Sequence, residues 1–212
     1  TIPTGDNTLP NGITDETADI KKYGGFYIGR YEAGISIEDS SPSNKTGVPV
    51  SKRGSRVWTN INYINSKASA ESMISNNYVQ TGLLTGRAWD TTCHWIEDAL
   101  SGINPSASLR DSRYYANNNN SLDPANTNSG TLRTAGFSEN WKLKNIYDLA
   151  GNVWEWTDET YIPSNTNKFS LIFRGGAYAS DGSSRSIGWR AYYPPEEYTF
   201  DFVGFRVRVY IK

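Results

Sequence analysis

The chain has 212 residues, enough for one large domain with a real core. A formal net charge of −1 gives no overall field to draw in nucleic acid or an anionic membrane, and no apolar run is long enough to span a bilayer. One Cys and one His exclude an internal disulfide and a metal centre built on several thiolates or imidazoles, while oxygen-only sites stay open.

Residues 1–22 are polar and turn-rich and read as an N-terminal arm or linker. A single domain is expected over 23–212. Its first strand is "FYIGRYEAGI", Phe26–Ile35, rich in aromatic and β-branched residues. A long loop punctuated by Pro and Gly follows to Arg56. Thr59 is placed to cap a helix reaching about Asn76, with Ile61, Ile64, Ala68 and Ser72 on its inner face. A second helix is clearer. Asp90 or Thr91 is its expected cap, Trp89, Cys93, Ile96 and Leu100 form its apolar stripe, and Gly102 ends it. Cys93 therefore reads as a small core residue, and His94 falls off the stripe, toward the surface.

From Ser101 to Asn140 the chain is expected to be loop. "YYANNNNSLDPANTNSG" carries too much Asn, Ser and Gly to build a core and reads as a surface excursion. The last third is β. "NIYDLAGNVWEWTDE" turns at Ala150–Gly151, and "LIFRGGAYA" is a strand with a Gly pair. In "VGFRVRVYI" the residues Val203, Phe205, Val207, Val209 and Ile211 alternate with Arg206, Arg208 and Tyr210, which predicts one core face and one wet face. Strand, two helices, long loops and strands make an α+β domain.

Aromatic content is 13%, with 14 Tyr and 7 Trp, more than a core requires, and these side chains suit binding surfaces. Glu155, Asp158, Glu159 and Asp148 lie close in sequence but show no base–nucleophile spacing.

"IYDLAGNVWEWTDE", "FRGGAYA" and "VGFRV" resemble the conserved series of formylglycine-generating-enzyme domains, and "TGLLTGRAWDTTCHWIEDAL" resembles their helix more loosely. The resemblance implies a C-type-lectin-like fold with two helices, short twisted antiparallel sheets and long loops. In copper-dependent members two Cys follow the RGG motif. Those positions fall on Ser180 and Arg185, so that chemistry lacks its ligands. The related iron sulfoxide synthases use three His, against one here. The resemblance also allows calcium at Gly151, Val153 and Glu155; the bland reading has Glu155 pairing with an Arg. Otherwise no cofactor is implied.

What remains is the branch of the fold that binds without catalysis, and residues 173–206 resemble the variable regions of diversity-generating-retroelement proteins in length, placement and ending. By that resemblance the ligand-binding residues are Tyr178, Ser180, Asp181, Ser184, Arg185, Trp189, Tyr192, Tyr193, Tyr198 and Phe200, with Trp189 either scaffold or a fixed contact. The implied partner is a protein or glycan ligand on a cell surface, and the implied location is a phage virion or bacterial surface, with a cytoplasmic one left open. Two alternatives stand: a virion or adhesin domain using the aromatic segment as a subunit interface, and a metal-independent enzyme of the same fold.

Overall fold

The computed structural model describes residues 21–36, 41–74, 76–124, 126–161, 170–193 and 198–212. Nearly all of the arm over 1–22 therefore lies outside the described residues. Among the described residues, three small sheets and two longer helices are arranged around two main apolar clusters. The fold is the expected α+β one.

The first sheet joins the ends of the domain. β1 (Tyr27–Ile28) and β2 (Val79–Leu83) flank the C-terminal strand β9 (Val207–Ile211), both antiparallel to it. The expected strand over Phe26–Ile35 is regular only at β1. Beyond it the N–H groups of Gly29 and Ala33 still donate to Val207 and Phe205 carbonyls, so the segment stays alongside without a continuous ladder. The second sheet pairs β3 (Lys142–Leu143) with β4 (Ile146–Tyr147), just after a 3₁₀ turn at Glu139–Trp141. The third is the largest. β5 (Trp154–Tyr161) lies at its centre, antiparallel to β6 (Ser170–Arg174) and parallel to β8 (Val203–Phe205), and β7 (Arg190–Tyr193) pairs with β6 at the edge.

Helix α1 runs Tyr63–Ser72 and is capped by Asn62, whose side chain accepts from the Asn65 N–H, rather than by Thr59. Tyr63, Ser66, Ser69 and Ala70 face inward, whereas Ile64 is exposed. The small buried residues let the helix lie close to the loop before it, where the Gly47 N–H donates to Ser69 Oγ. Helix α2 runs Gly86–Leu100 and starts earlier than the sequence reading, with Thr85 Oγ1 accepting from the Ala88 N–H. Its stripe is as expected: Trp89, Cys93, Ile96 and Leu100 are all buried. Each such large apolar side chain stabilises the fold by roughly 1.5–3 kcal/mol. Burial pushes the Cys93 thiol up to about 12, which leaves it inert at neutral pH.

Two expectations fail for one reason. The "wet" face of the C-terminal strands is buried, with Arg206, Arg208 and Tyr210 as hidden as the valines, while Ile211 is exposed. Arg206 donates to both oxygens of Glu155 and to the carbonyls of Gly29 and Tyr147. A buried guanidinium is tolerated when its donors are engaged and its charge is matched. Likewise, Asn117 and Asn118 in the Asn-rich excursion are buried. Asn117 Nδ2 donates to Thr131 O and Asn152 Oδ1, and Asn118 Nδ2 donates to Ser112 O. Polar segments build interior structure here because side-chain amides satisfy main-chain groups that no sheet reaches.

Candidate functional site

The turn Ala150–Gly151–Asn152 sets the geometry beneath the site. Gly151 has φ +74° and its Cα sits against the Asn117 main chain, so no side chain fits there. The chain then enters β5 with Trp154, Glu155 and Trp156 all buried. Trp156 Nε1 donates to Ile61 O, and its ring meets Phe173 edge-on at 5.2 Å. After β6, Gly175 and Gly176 carry the chain into 177–189.

That loop is held from outside through its main chain. The Tyr178 N–H donates to Asn152 O, and Asn119 offers its N–H to Ser180 O and its Nδ2 to Ala179 O. Gly182 donates to Asn120 Oδ1 and accepts from the Ser112 N–H. Ile187 donates to Ser112 Oγ and accepts from Trp89 Nε1. The Gly188 N–H donates to Leu109 O. The Asn-rich excursion is thus the loop's scaffold, a role its composition did not signal.

The residues singled out from the sequence fall into two adjoining groups. Ser180, Asp181, Ser184 and Arg185 line a cleft of about 370 Å³ whose inner wall includes Trp154 and Phe202. Ser184 and Arg185 are exposed. Ser180 and Asp181 have local structural tasks: Ser180 Oγ accepts from the Ala177 N–H, and Asp181 Oδ1 accepts from the N–H and hydroxyl of Ser183. The Ser183 hydroxyl and N–H hold the Asp181 carboxyl down at about 2, so it is ionised. Tyr178 is half-buried, and its hydroxyl is pushed up by burial and by Asp201.

The second group is aromatic. Tyr192 is 56% exposed, Tyr193 40% and Tyr198 47%. Tyr193 packs edge-on against Tyr198 and Phe200, each at 5.1 Å, and Phe200 stacks on Phe202 at 5.1 Å. Phe202 thereby joins this cluster to the cleft. Tyr161 lies 5.5 Å from Tyr192. Sequence reasoning missed Phe202 and Tyr161; the alternation of Phe200 and Phe202 in "YTFDF" was the available signal for the first. Trp189, 50% exposed, stands on the turn before β7.

Strand β7 is anchored by charge. Arg174, fully buried in β6, donates to Asp90 and Glu159, and Arg190, its neighbour across the ladder, bonds to the same two carboxylates. Asp90 is therefore no helix cap; it ties α2 to β7.

The other carboxylates also have structural partners. Asp158 accepts from the Tyr63 hydroxyl at 2.6 Å and Lys67 Nζ at 2.7 Å. Glu32 accepts from Asn152 Nδ2 and the Val153 N–H. Glu155 faces Arg206, the pairing that the bland reading anticipated. At the expected calcium position both Glu155 oxygens accept from the Arg206 guanidinium, so this carboxylate already has a matched charge. Among the described residues no group of three or more His, Cys, Asp or Glu is placed to hold a metal ion. His94 is at the surface, 3.7 Å from Glu97.

The short sheets, two longer helices and long loops of the described residues are those of a C-type-lectin-like domain. More particularly, a family model, the sulfatase-modifying factor enzyme 1-like domain, matches residues 67–210, and the chain belongs to that family. Among solved structures the chain is similar to CarF, with 18% identity over 88% of this chain and 87% of that one and a TM-score of 0.59. It is similar to variable protein 1 of Treponema denticola, with 16% identity over 86% and 84% and a TM-score of 0.54. PvdO of Pseudomonas aeruginosa matches at 18% identity over 88% and 80%, with a TM-score of 0.58. No curated protein sequence matches the chain. At these identities the likeness establishes the fold and leaves activity to the site.

Proposed function

We propose that the protein binds a ligand rather than turning one over. In this reading it is a receptor- or adhesion-type scaffold, akin to the variable proteins of diversity-generating retroelements, whose residues 173–206 meet a protein or glycan at a cell surface. One observation carries the reading: exposed Tyr193 and Tyr198 pack on half-buried Phe200, which runs through Phe202 into a cleft edged by Ser184 and Arg185, while exposed Tyr192 stands on the other face of β7 beside Tyr161. Rigid aromatic area beside adaptable hydroxyls is the mixture that binding loops use. The likeness in fold to the Treponema variable protein supports it. So does the pair Ser180 and Arg185, which stands where the copper enzymes carry thiolates and provides none. A phage virion or bacterial surface is the location that suits such a domain.

The test is a screen of the chain against arrays of glycans and bacterial surface proteins, repeated with Tyr192→Ala and Tyr193→Ala. The expected result is a loss of about tenfold or more in affinity for the captured ligand, about 1.4 kcal/mol, with an unchanged unfolding transition. Equal affinity after both changes overturns the site. The retroelement part has its own test: a near-copy of codons 173–206 beside a reverse transcriptase gene, whose absence removes it. If the aromatic cluster is instead a subunit interface, the chain self-associates in solution and Tyr192→Ala makes it monomeric.

A further inference from the structure

We infer that the cleft beside the loop 177–189 takes a terminal acidic sugar of a glycan, with the sugar carboxylate on the Arg185 guanidinium. This rests on the ligand-binding reading and names the class of ligand at that site.

The charge left over at the cleft sets the sign of its occupant. Two side chains of opposite charge line it, Asp181 and Arg185. Asp181 is already engaged. Its Oδ1 accepts from the N–H and hydroxyl of Ser183 and from the Ser184 N–H, Asn120 bonds to the same carboxyl, and Asp111 and Arg113 feel its charge. Arg185 is not engaged. Among the described residues its guanidinium has no ion pair, hydrogen bond or ring contact, and only its main-chain N–H is used, donating to Asp181 O. A planar guanidinium with its donors unspent matches a carboxylate through two parallel hydrogen bonds. An exposed arginine is ordinarily just solvated, but this one shares its cleft with Trp154, half-buried Phe202, Ala177 and Ala179. Beside such low-dielectric surface an ion pair is stronger than in open water.

The remaining polar groups suit a sugar better than a peptide. The Ser184 hydroxyl has no partner among the described residues, and Ser180 Oγ, which accepts from the Ala177 N–H, keeps its hydrogen to donate. The N–H groups of Tyr178, Ser180, Gly182, Ser183, Ser184 and Arg185 are all taken within the protein. The loop therefore offers no row of main-chain donors to a polypeptide and reads its ligand through side chains. A pyranose with a carboxylate brings what those side chains need: an anion, hydroxyls and an apolar C–H face for the rings. The volume of about 370 Å³ is at the small end of ligand pockets, the size for a terminal sugar.

The test titrates the full, nitrogen-labelled chain with glucuronic acid, N-acetylneuraminic acid, glucose and a glutamate capped at both ends, followed by NMR. The two acid sugars should shift the Arg185 amide and the Trp154 indole N–H, and glucose should not. Arg185→Gln should weaken them by about tenfold or more with an unchanged unfolding transition, and high salt should weaken them as well. No shift with either acid, equal shifts with glucose, or binding that survives Arg185→Gln overturns the inference. Shifts with the capped glutamate and none with the acid sugars also overturn it, in favour of a peptide carboxylate. If a ligand captured on the arrays loses affinity with Tyr193→Ala and not with Arg185→Gln, the ligand-binding reading stands and only the acidic-sugar site falls. If neither change matters, both fall.

Discussion

Asp148 is buried, with Oδ2 accepting from the Gly136 N–H at 2.6 Å and Oδ1 without a hydrogen-bond partner. Burial pushes its pKa up to about 7, and burial raises Glu32 and Glu155 in the same direction, Glu32 also through the charges of Asp148 and Glu155. These carboxylates lie near one guanidinium, Arg206, so protonation relieves an excess of buried negative charge. An acid whose folded pKa is above its unfolded value of about 4 binds more protons folded than unfolded between the two values. Its contribution to stability is therefore full below that window and falls as pH rises through it. The melting temperature should drop between about pH 4 and about pH 7, and Asp148→Asn should flatten the profile; thermal unfolding in a buffer series measures both. At the same cluster, Arg206→Met strands Glu155 and should cost about 3–5 kcal/mol in urea denaturation, with Arg206→Met/Glu155→Leu recovering much of it. The sequence showed Glu155 and Arg206 but not their pairing, because 51 positions separate them.

At the scale of elements, the loop 177–189 takes its shape from main-chain hydrogen bonds that other segments supply. The side chains of Ser184 and Arg185 are exposed on it. Ser184→Ala and Arg185→Ala should change stability by less than about 0.5 kcal/mol. Gly182→Ala should destabilise by roughly 1–3 kcal/mol, because its Cβ would run into the Asn118 side chain. Asn120→Ala removes the acceptor of the Gly182 N–H and should speed exchange of that amide without moving the global transition. Hydrogen exchange and chemical denaturation separate these outcomes. The α2 stripe was legible because period and burial coincide along fifteen residues. Its cap was misplaced because Asp90, a good capping residue by type, sits one turn inside and serves Arg174 and Arg190 instead. On α1 the inner face was misread because Ser66 and Ser69 are buried and Ile64 is not. Close approach, not hydrophobicity, selects that face.

Across the whole molecule, β8 and β9 close two sheets at once: β9 sits between β1 and β2, and β8 pairs with β5. Ten C-terminal residues thus tie the first strand to the central one. Removing 203–212 should abolish cooperative unfolding and near-ultraviolet dichroism, leaving an expanded state. The same closure explains which inferences the sequence could carry. By itself it determined the α+β class, the α2 stripe and the inert Cys93 through nearby spacing, and the lectin-like fold through the family resemblance that the GNVWEW, RGG and GFR segments carry. It also placed the exposed tyrosines in one short segment. Only the tertiary structure decided that Arg206 and Arg208 are interior and that Asn117–Asn120 help to hold the loop 177–189. A residue's face is set by what the fold brings opposite it, and alternation along one strand does not say whether that partner is water, a carboxylate or another chain.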